Sequence, residues 1–321
     1  MENTLSHRID EGLLKAMSAS EWSKIPYEAL LQHNPVQIRE EESKLSAQEV
    51  APEFPAELVV ENLEIPSQEI GINIRIRVYR HKNGLPQPVL LYFHGGAFIF
   101  GNPEQYDFML CGLAADASLT IVSVDYRLAP EHPFPAALND GYQVLKWLAE
   151  NAKSISGRKD QIIIGGSSAG ATIAMSVAHL ARDLGFPEIC HQYLLYPPTD
   201  HRLQTASMAE FAHAPMHTRN SAYHMWRHYL GKHHDHPPKY AVPLQQSNFD
   251  QLPAATIVVC ELDPLKDEAI AYSAKLREAG IDAHLIEIKG AVHAFDFFPC
   301  ELSDTFYKQQ VNLLKKIIKK Q

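Results

Sequence analysis

Cysteine is scarce in this chain, with four residues in 321: Cys111, Cys190, Cys260 and Cys300. The four are too few for a disulfide scaffold and lack the spacing of a metal-binding motif. The sequence also has no internal repeat, no long low-complexity segment and no run of about 18 apolar residues, which argues against repeat architectures and membrane-spanning helices. Its first residues lack a basic stretch followed by an apolar run, so no secretory signal is predicted and a cytoplasmic protein is expected.

Positive charge is in deficit, because 29 lysines and arginines face 38 acidic residues and give a formal net charge of −9. A general role in binding nucleic acid or an anionic membrane is therefore disfavoured. The one basic cluster, Lys315, Lys316, Lys319 and Lys320, ends a helical pattern, where lysines complement the helix dipole. Hydrophobic residues make up 45% of the chain, which is ordinary for a globular protein large enough to bury one sizeable core.

The most informative segment is the pentapeptide GSSAG at 166–170. It follows the apolar run 161–164, which is typical of a buried strand, and precedes the apolar run 171–181, which is typical of a buried helix. A G-x-S-x-G sequence at a strand-to-helix turn is the nucleophile-elbow pattern, in which small residues let one hydroxyl stand clear of the turn. The pattern places Ser168, and not Ser167, at the position of the nucleophile.

A second glycine-containing turn, His94-Gly95-Gly96-Ala97, follows the apolar run 88–93. Acyl transfer needs backbone N–H groups aimed at the oxygen that becomes negative in the tetrahedral intermediate. A glycine pair after a strand lets the main chain approach that oxygen closely. Its place about 75 residues before the serine therefore predicts an oxyanion hole.

The general base and its acidic partner are expected after two later strands. Asp263 follows the apolar run 255–260, and His293 follows the strand pattern at 283–288. Both thus lie just past strand ends, where open α/β sheets carry their sites. Other acids could also orient the histidine, and they are Glu261, Asp267 and Glu268. The last two lie in the first turn of a predicted helix, where the helix dipole alone favours an acid.

These motifs resemble those of the hormone-sensitive-lipase-like carboxylesterases, over roughly residues 55–320. The order Ser168, Asp263, His293 is that of α/β-hydrolases and differs from the orders in chymotrypsin and subtilisin. The segments that carry the resemblance are HGGAF at 94–98, DYRLAPEHPFPAA at 125–137, GSSAG at 166–170, DPLKDE at 263–268 and HAF at 293–295. The resemblance implies an α/β-hydrolase fold, a mostly parallel central sheet flanked by helices, no cofactor, and esters with short to medium acyl chains as substrates.

By this resemblance Ser168 is the nucleophile, His293 the base and Asp263 its orienting acid. The implied oxyanion-hole donors are the N–H groups of Gly95, Gly96, Ala97 and Ala169. The chain departs from the family at Ala97, where a third glycine is usual, and a positive φ there would strain an alanine. It also has Ser167 where the family has aspartate, and Ala294 where it has glycine.

Strands and helices alternate from residue 88, which predicts a mostly parallel sheet. Before it, isoleucine and valine alternate with polar residues over 72–79, which indicates a half-exposed antiparallel strand. Residues 1–50 have helical spacing, and 199–240 is too long for a simple crossover. The resemblance implies that these two segments form a helical cap on a catalytic domain of residues 51–198 and 241–321.

The 199–240 segment is rich in histidine. Two pairs, His213/His217 and His224/His228, have the i, i+4 spacing that can chelate a metal on a helix. Neither pair contains an acidic residue, and no third ligand is evident. We therefore expect a solvated cap surface and no metal.

The leading hypothesis is a serine carboxylesterase that acts on small-molecule esters through an acyl-enzyme. Phe98 and Phe100 are candidate lining residues of its pocket, although core packing explains them equally well. An amide or acetyl hydrolase on the same triad is an alternative, because a triad does not distinguish the two bonds. A non-catalytic ligand-binding protein, similar to the plant gibberellin receptors, is disfavoured because those receptors lack the histidine that stands here as His293. A homodimer is compatible with these features.

Overall fold

The computed structural model describes residues 5–49, 53–67, 69 and 71–320. Eight strands form its sheet: β1 Leu58–Pro66, β2 Asn73–His81, β3 Gln87–Phe93, β4 Thr120–Asp125, β5 Gly157–Ser167, β6 His191–Leu195, β7 Ala255–Cys260 and β8 Ala283–Ile288. Their order across the sheet is β1-β2-β4-β3-β5-β6-β7-β8. Strand β2 pairs antiparallel with β1 and β4, and every other neighbouring pair is parallel. The predicted fold class and the predicted antiparallel strand are confirmed.

Ten helices accompany the strands in the described residues: α1 Glu11–Ala19, α2 Tyr27–His33, α3 Gln37–Ser46, α4 Asp107–Ala117, α5 Ala136–Asn151, α6 Ala169–Leu184, α7 Ala206–Glu210, α8 Arg219–Leu230, α9 Lys266–Glu278 and α10 Glu301–Lys320. Helices α5, α6, α8 and α9 pack in one apolar core, and α1, α4 and α10 pack in a second. Successive residues of β3 contribute to different cores, since Leu91 belongs to the first and Leu90 to the second. Burial on both faces explains why this strand is a continuous apolar run.

The N-terminal helices contact the long connection between β6 and β7. The ring of His228 on α8 donates a hydrogen bond from Nε2 to the carbonyl of Leu31 on α2, at 2.8 Å. Thr218 and Asn220, at the start of α8, donate to the carboxylate of Glu28 at 2.7 and 3.0 Å. The two segments that lie outside the βα alternation are thus joined to each other.

Two carboxylates of α9 anchor the connection that follows β6. The fully buried Glu268 accepts hydrogen bonds from the N–H groups of Thr199 at 2.6 Å and Asp200 at 3.2 Å. Asp267 accepts one from the N–H of Ser207 at 2.8 Å. Helix-dipole compensation, the role that the sequence suggested for both acids, is therefore only part of what they do.

Glu268 generates a prediction about stability and pH. Burial raises the pKa of its carboxyl well above the ordinary value. The folded state therefore keeps a proton that the unfolded chain releases above about pH 4.3, and this group makes stability fall as pH rises through that window. Glu268→Gln removes the titration and keeps an oxygen that can accept from Thr199. We expect the urea midpoint of the variant minus that of the native protein to be larger at about pH 8 than at about pH 5.

The matched control is Glu278→Gln, which makes the same change at the exposed C-terminal end of the same helix. Its midpoint should follow the native protein at both pH values. A constant difference between Glu268→Gln and the native protein would contradict the prediction.

Candidate active site

Ser168 lies in the turn between β5 and α6 with φ 51° and ψ −124°, a backbone conformation that residues with a side chain rarely adopt. The turn packs directly against the end of β3. A Cβ on Gly166 would lie 2.5 Å from the carbonyl oxygen of Phe93, and one on Gly170 would lie 2.1 Å from the same atom. Only glycine fits at these two positions, so the structure contains the nucleophile elbow that the sequence predicted.

The three residues proposed as a triad form one chain of hydrogen bonds. Ser168 Oγ lies 2.8 Å from His293 Nε2, and His293 Nδ1 lies 2.7 Å from Asp263 Oδ2. The other carboxylate oxygen of Asp263 accepts the N–H of Leu265 at 2.9 Å. Because a carboxylate only accepts, Nδ1 of His293 carries the proton and Nε2 is free to accept the proton of the serine. All three side chains are buried.

The competing acids have other partners. Glu261 accepts the N–H of Gly290 at 2.9 Å, while Asp267 and Glu268 hold the backbone after β6. Asp263 is the acid bonded to His293. The choice of Asp263 from the sequence agrees with this geometry.

The N–H of Gly95 is not available to an oxyanion, because it donates to the hydroxyl of Tyr106 at 2.7 Å. The prediction that Gly95 belongs to the oxyanion hole is therefore wrong. The N–H groups of Gly96, Ala97 and Ala169 remain candidates. Outside regular secondary structure, none of the three donates to a backbone carbonyl of the described residues. Ala97 has φ 53°, so the alanine that replaces the usual third glycine is held in the strained left-handed region.

His94 stabilises this loop and is not part of the chain of hydrogen bonds from Ser168 to Asp263. Its ring stacks on Tyr126 with centroids 4.3 Å apart, and Nδ1 donates to the carbonyl of Gly95 at 2.7 Å. The hydroxyl of Tyr126 donates to the carbonyl of His94 at 2.8 Å. Burial lowers the pKa of His94 to about 4, so the ring stays neutral at physiological pH. A Cβ on Gly96, where φ is 118°, would lie 1.9 Å from the carbonyl oxygen of Phe100, so the loop closes on itself at that residue.

Ser168 and His293 lie in the wall of a cavity of about 1280 Å³. Aromatic side chains line much of it, and they include Trp22, Tyr27, Phe54, Phe100, Phe108 and Phe297. Of the two phenylalanines that the sequence suggested, Phe100 is in the wall. Phe98 is not, because its ring is 1% exposed and stacks on Tyr229 of α8 at 3.8 Å.

His217 is a residue that the sequence analysis missed. It was assigned to a solvated surface, yet it is 6% exposed and lines the cavity. Its ring centroid lies 4.9 Å from that of His293. It stands in an irregular segment between α7 and α8, where no hydrophobic period marks which side chains point inward.

The metal-chelating geometry considered for the paired histidines does not form. His213 is exposed, and neither it nor His217 lies on a helix. His228 is bonded to Leu31. In the part of the chain that the structure describes, no group of three or more histidines, cysteines or acids could hold a metal ion.

Tyr196 and Asp296, which the sequence analysis also missed, form a pair beside His293. The Tyr196 ring meets that of His293 edge-on at 5.0 Å, and its hydroxyl donates to Asp296 Oδ1 at 2.7 Å. Burial raises the pKa of Asp296 to about 6. His293 is thus flanked by Tyr196 and His217.

Comparison with known proteins agrees with this geometry. The family model described as the α/β-hydrolase fold matches residues 90–297. Esterase LipI of Mycobacterium tuberculosis is 35% identical over 301 residues, which are 92% of this chain and 91% of that protein. Carboxylesterase NlhH of the same organism is 35% identical over 254 residues, 75% of this chain and 78% of its own.

Solved structures give the same result. A bacterial heroin esterase superposes with a TM-score of 0.87 at 28% identity, covering 97% of this chain and 98% of its own. A thermostable esterase from Pseudomonas putida superposes with a TM-score of 0.88 at 27% identity, covering 98% of each chain. The chain belongs to the hormone-sensitive-lipase-like carboxylesterases of the α/β-hydrolase superfamily. It is a carboxylic ester hydrolase.

None of the described helices has the length and apolar character that a membrane span requires.

The elbow geometry predicts different results for its two serines. Ser168→Ala removes the hydroxyl bonded to His293 and should lower kcat for a chromogenic ester by about 10⁴-fold or more. Ser167→Ala removes only a hydrogen bond of 3.0 Å to Tyr106, so its kcat should stay within about threefold of the native value. A large loss in Ser167→Ala together with a small one in Ser168→Ala would contradict the assignment.

Asp263→Asn should lower kcat by about 10³- to 10⁴-fold. With its oxygen on the N–H of Leu265, the asparagine turns its NH₂ toward His293 Nδ1 and favours the wrong tautomer of the ring. The control is Asp267→Asn, which should keep kcat and reduce the free energy of unfolding by less than about 1 kcal/mol. Equal losses of kcat in steady-state assays of the two variants would refute this division of roles.

Proposed function

We propose that this esterase cleaves esters of short- to medium-chain acids, of about four to eight carbons, with Ser168 as nucleophile, His293 as base and Asp263 as its orienting acid. The observation that carries the proposal is the hydrogen-bond chain from Ser168 through His293 to Asp263 at the wall of a large aromatic cavity. The N–H groups of Gly96, Ala97 and Ala169 are proposed as the oxyanion hole.

In the first half-reaction, Ser168 Oγ attacks the ester carbonyl carbon while its proton passes to His293 Nε2, across the 2.8 Å contact. The carbonyl oxygen becomes negative and is stabilised by the loop and helix N–H groups, whose dipoles are already oriented. Asp263 stabilises the imidazolium that forms and keeps Nε2 directed at the serine. The C–O bond to the alcohol then breaks, and the alcohol leaves with the proton from Nε2.

The second half-reaction repeats these steps with water. His293 Nε2 takes a proton from water, the resulting hydroxide attacks the acyl carbon, and Ser168 leaves with the proton returned from Nε2. The products are the free acid and the regenerated serine. All groups that move a proton are supplied by the chain, so the reaction needs no cofactor.

We also propose that residues 1–50 and 199–240 act as a cap that shapes the acyl pocket, and that the catalytic domain comprises 51–198 and 241–321. Trp22 and Tyr27 from the first segment, and Met216 and His217 from the second, line the same cavity as Ser168. A cytoplasmic location and a homodimer stay predictions from the sequence.

The cap proposal predicts that an N-terminal residue influences chain-length preference. Trp22→Ala removes apolar area from the cavity wall, so longer chains should lose more binding energy than shorter ones, at about 0.8 kcal/mol per methylene that loses its contact. We expect the ratio of kcat/KM for p-nitrophenyl octanoate to that for the butanoate to fall about three- to tenfold.

The control is Lys24→Ala. Lys24 is exposed, lies in the same 3₁₀ turn, Trp22–Lys24, and does not line the cavity. Its ratio should equal that of the native protein. The same ratio in both variants would show that the N-terminal helices do not shape the pocket, whatever the result for Ser168→Ala.

A further inference from the structure

His217 is a polar side chain of the cavity wall that lies beside the triad and takes no part in the reaction steps described above. His217 is 6% exposed and its ring faces that of His293 at 4.9 Å, with 35° between the ring planes. Its Nε2 is buried and has no hydrogen-bond partner among the described residues. A buried polar atom left unpaired costs about 1–3 kcal/mol, so an apolar residue would serve stability better at this position.

The backbone that places His217 here is also unfavourable. Met216, the residue before it, has φ 68° in the left-handed region, which costs free energy for any residue with a Cβ. Two other polar groups on this wall are already bonded, since the hydroxyl of Tyr196 donates to Asp296 and that of Ser221 is hydrogen-bonded to the hydroxyl of Thr218. Two local costs thus meet at the residue whose nitrogen is unpaired.

The charge state of His217 restricts what it can bind. Burial, together with the neighbouring His293, lowers the pKa of His217 to about 3, so the ring is neutral at physiological pH. A neutral imidazole offers one N–H donor and one acceptor nitrogen. Its natural partner is therefore an uncharged group such as a hydroxyl, and it has no charge with which to attract a carboxylate or phosphate.

The position of His217 indicates which half of the ester carries that group. In the proposed reaction His293 delivers its proton to the leaving oxygen, so the alcohol part must lie against His293 Nε2. His217 packs on the ring of His293 and lines the same cavity, and for this reason we assign it to the alcohol side.

We propose that His217 hydrogen-bonds an uncharged hydroxyl on the alcohol part of the substrate, so that the preferred substrates are monoesters of diols and other hydroxyl-bearing alcohols. This inference rests on the proposed function, because it takes His293 as the group that protonates the leaving alcohol. His217 is a specificity residue in this reaction, and Ser168, His293 and Asp263 perform the bond-making steps.

The test uses two esters that differ by one group, 2-hydroxyethyl butanoate and propyl butanoate, in which a hydroxyl replaces a methyl. The measured quantity is the ratio of their kcat/KM values, by titration of the released acid. His217→Phe keeps a ring against His293 and removes both nitrogens. The kcat/KM of the hydroxyethyl ester divided by that of the propyl ester should therefore fall about tenfold. His217→Asn keeps a donor and an acceptor and should hold the ratio within about threefold of the native value.

The control is His224→Phe, which changes a half-buried histidine of α8 outside the cavity wall and should leave both rates unchanged. If His217→Phe slows both esters by the same factor, His217 only packs against the base and the proposal is overturned. An unchanged ratio with unchanged rates overturns it equally. Ser168→Ala separates the two proposals. Persistent hydrolysis of propyl butanoate in that variant would refute the proposed function, whereas loss of that hydrolysis together with an unchanged ratio in His217→Phe would refute only the role of His217.

Discussion

The site depends on the close approach of two backbones. The turn that carries Ser168 packs so tightly on the end of β3 that Gly166 and Gly170 have no room for a Cβ. The same approach brings the loop after β3 beside the serine, because that loop begins where the contact is made. Ser168 and the candidate oxyanion donors are therefore positioned by one contact between this turn and β3, and the strained backbone of Ser168 is held by the packing on either side of it.

The two buried carboxylates after β7 have different hydrogen-bond partners. Asp263 is bonded to His293, whereas Glu268, five residues later, holds the backbone that enters the connection before α7. Residue type does not distinguish them, since both are acids near the start of α9. What separates them is their place in the chain, since Asp263 lies in the loop before α9 and Glu268 in its first turn. One short segment thus contributes both the carboxylate bonded to His293 and the anchor of the connection after β6.

The sequence predicted the parts of the site that depend on local chemistry. Glycines at a tight turn, an apolar run buried on both faces, and acids or histidines after strand ends all have local signatures, and Ser168, Asp263 and His293 came from them. The bond between Gly95 and Tyr106 could not be predicted, because it joins two residues through a hydroxyl that other roles explain as well. The burial of His217 was missed for a related reason, and for Phe98 the sequence left pocket lining and core packing open. Each depends on how α8 and its preceding segment fold over the sheet, and neither segment has a period that encodes this placement.

Tyr106 contacts three segments that lie far apart in the sequence. Its hydroxyl accepts from Gly95 and from Ser167, and its ring meets Phe297, four residues after His293, edge-on at 5.1 Å. A displacement of the loop after β3 is therefore shared with the strand that precedes Ser168 and with the loop that carries His293. Helices α2 and α8 contribute Tyr27 and Ser221 to the cavity wall, and neither is among these contacts of Tyr106. We expect substitutions of those two side chains to change the pocket while the distances at the reacting atoms stay constant, so that chemistry and substrate preference can change independently.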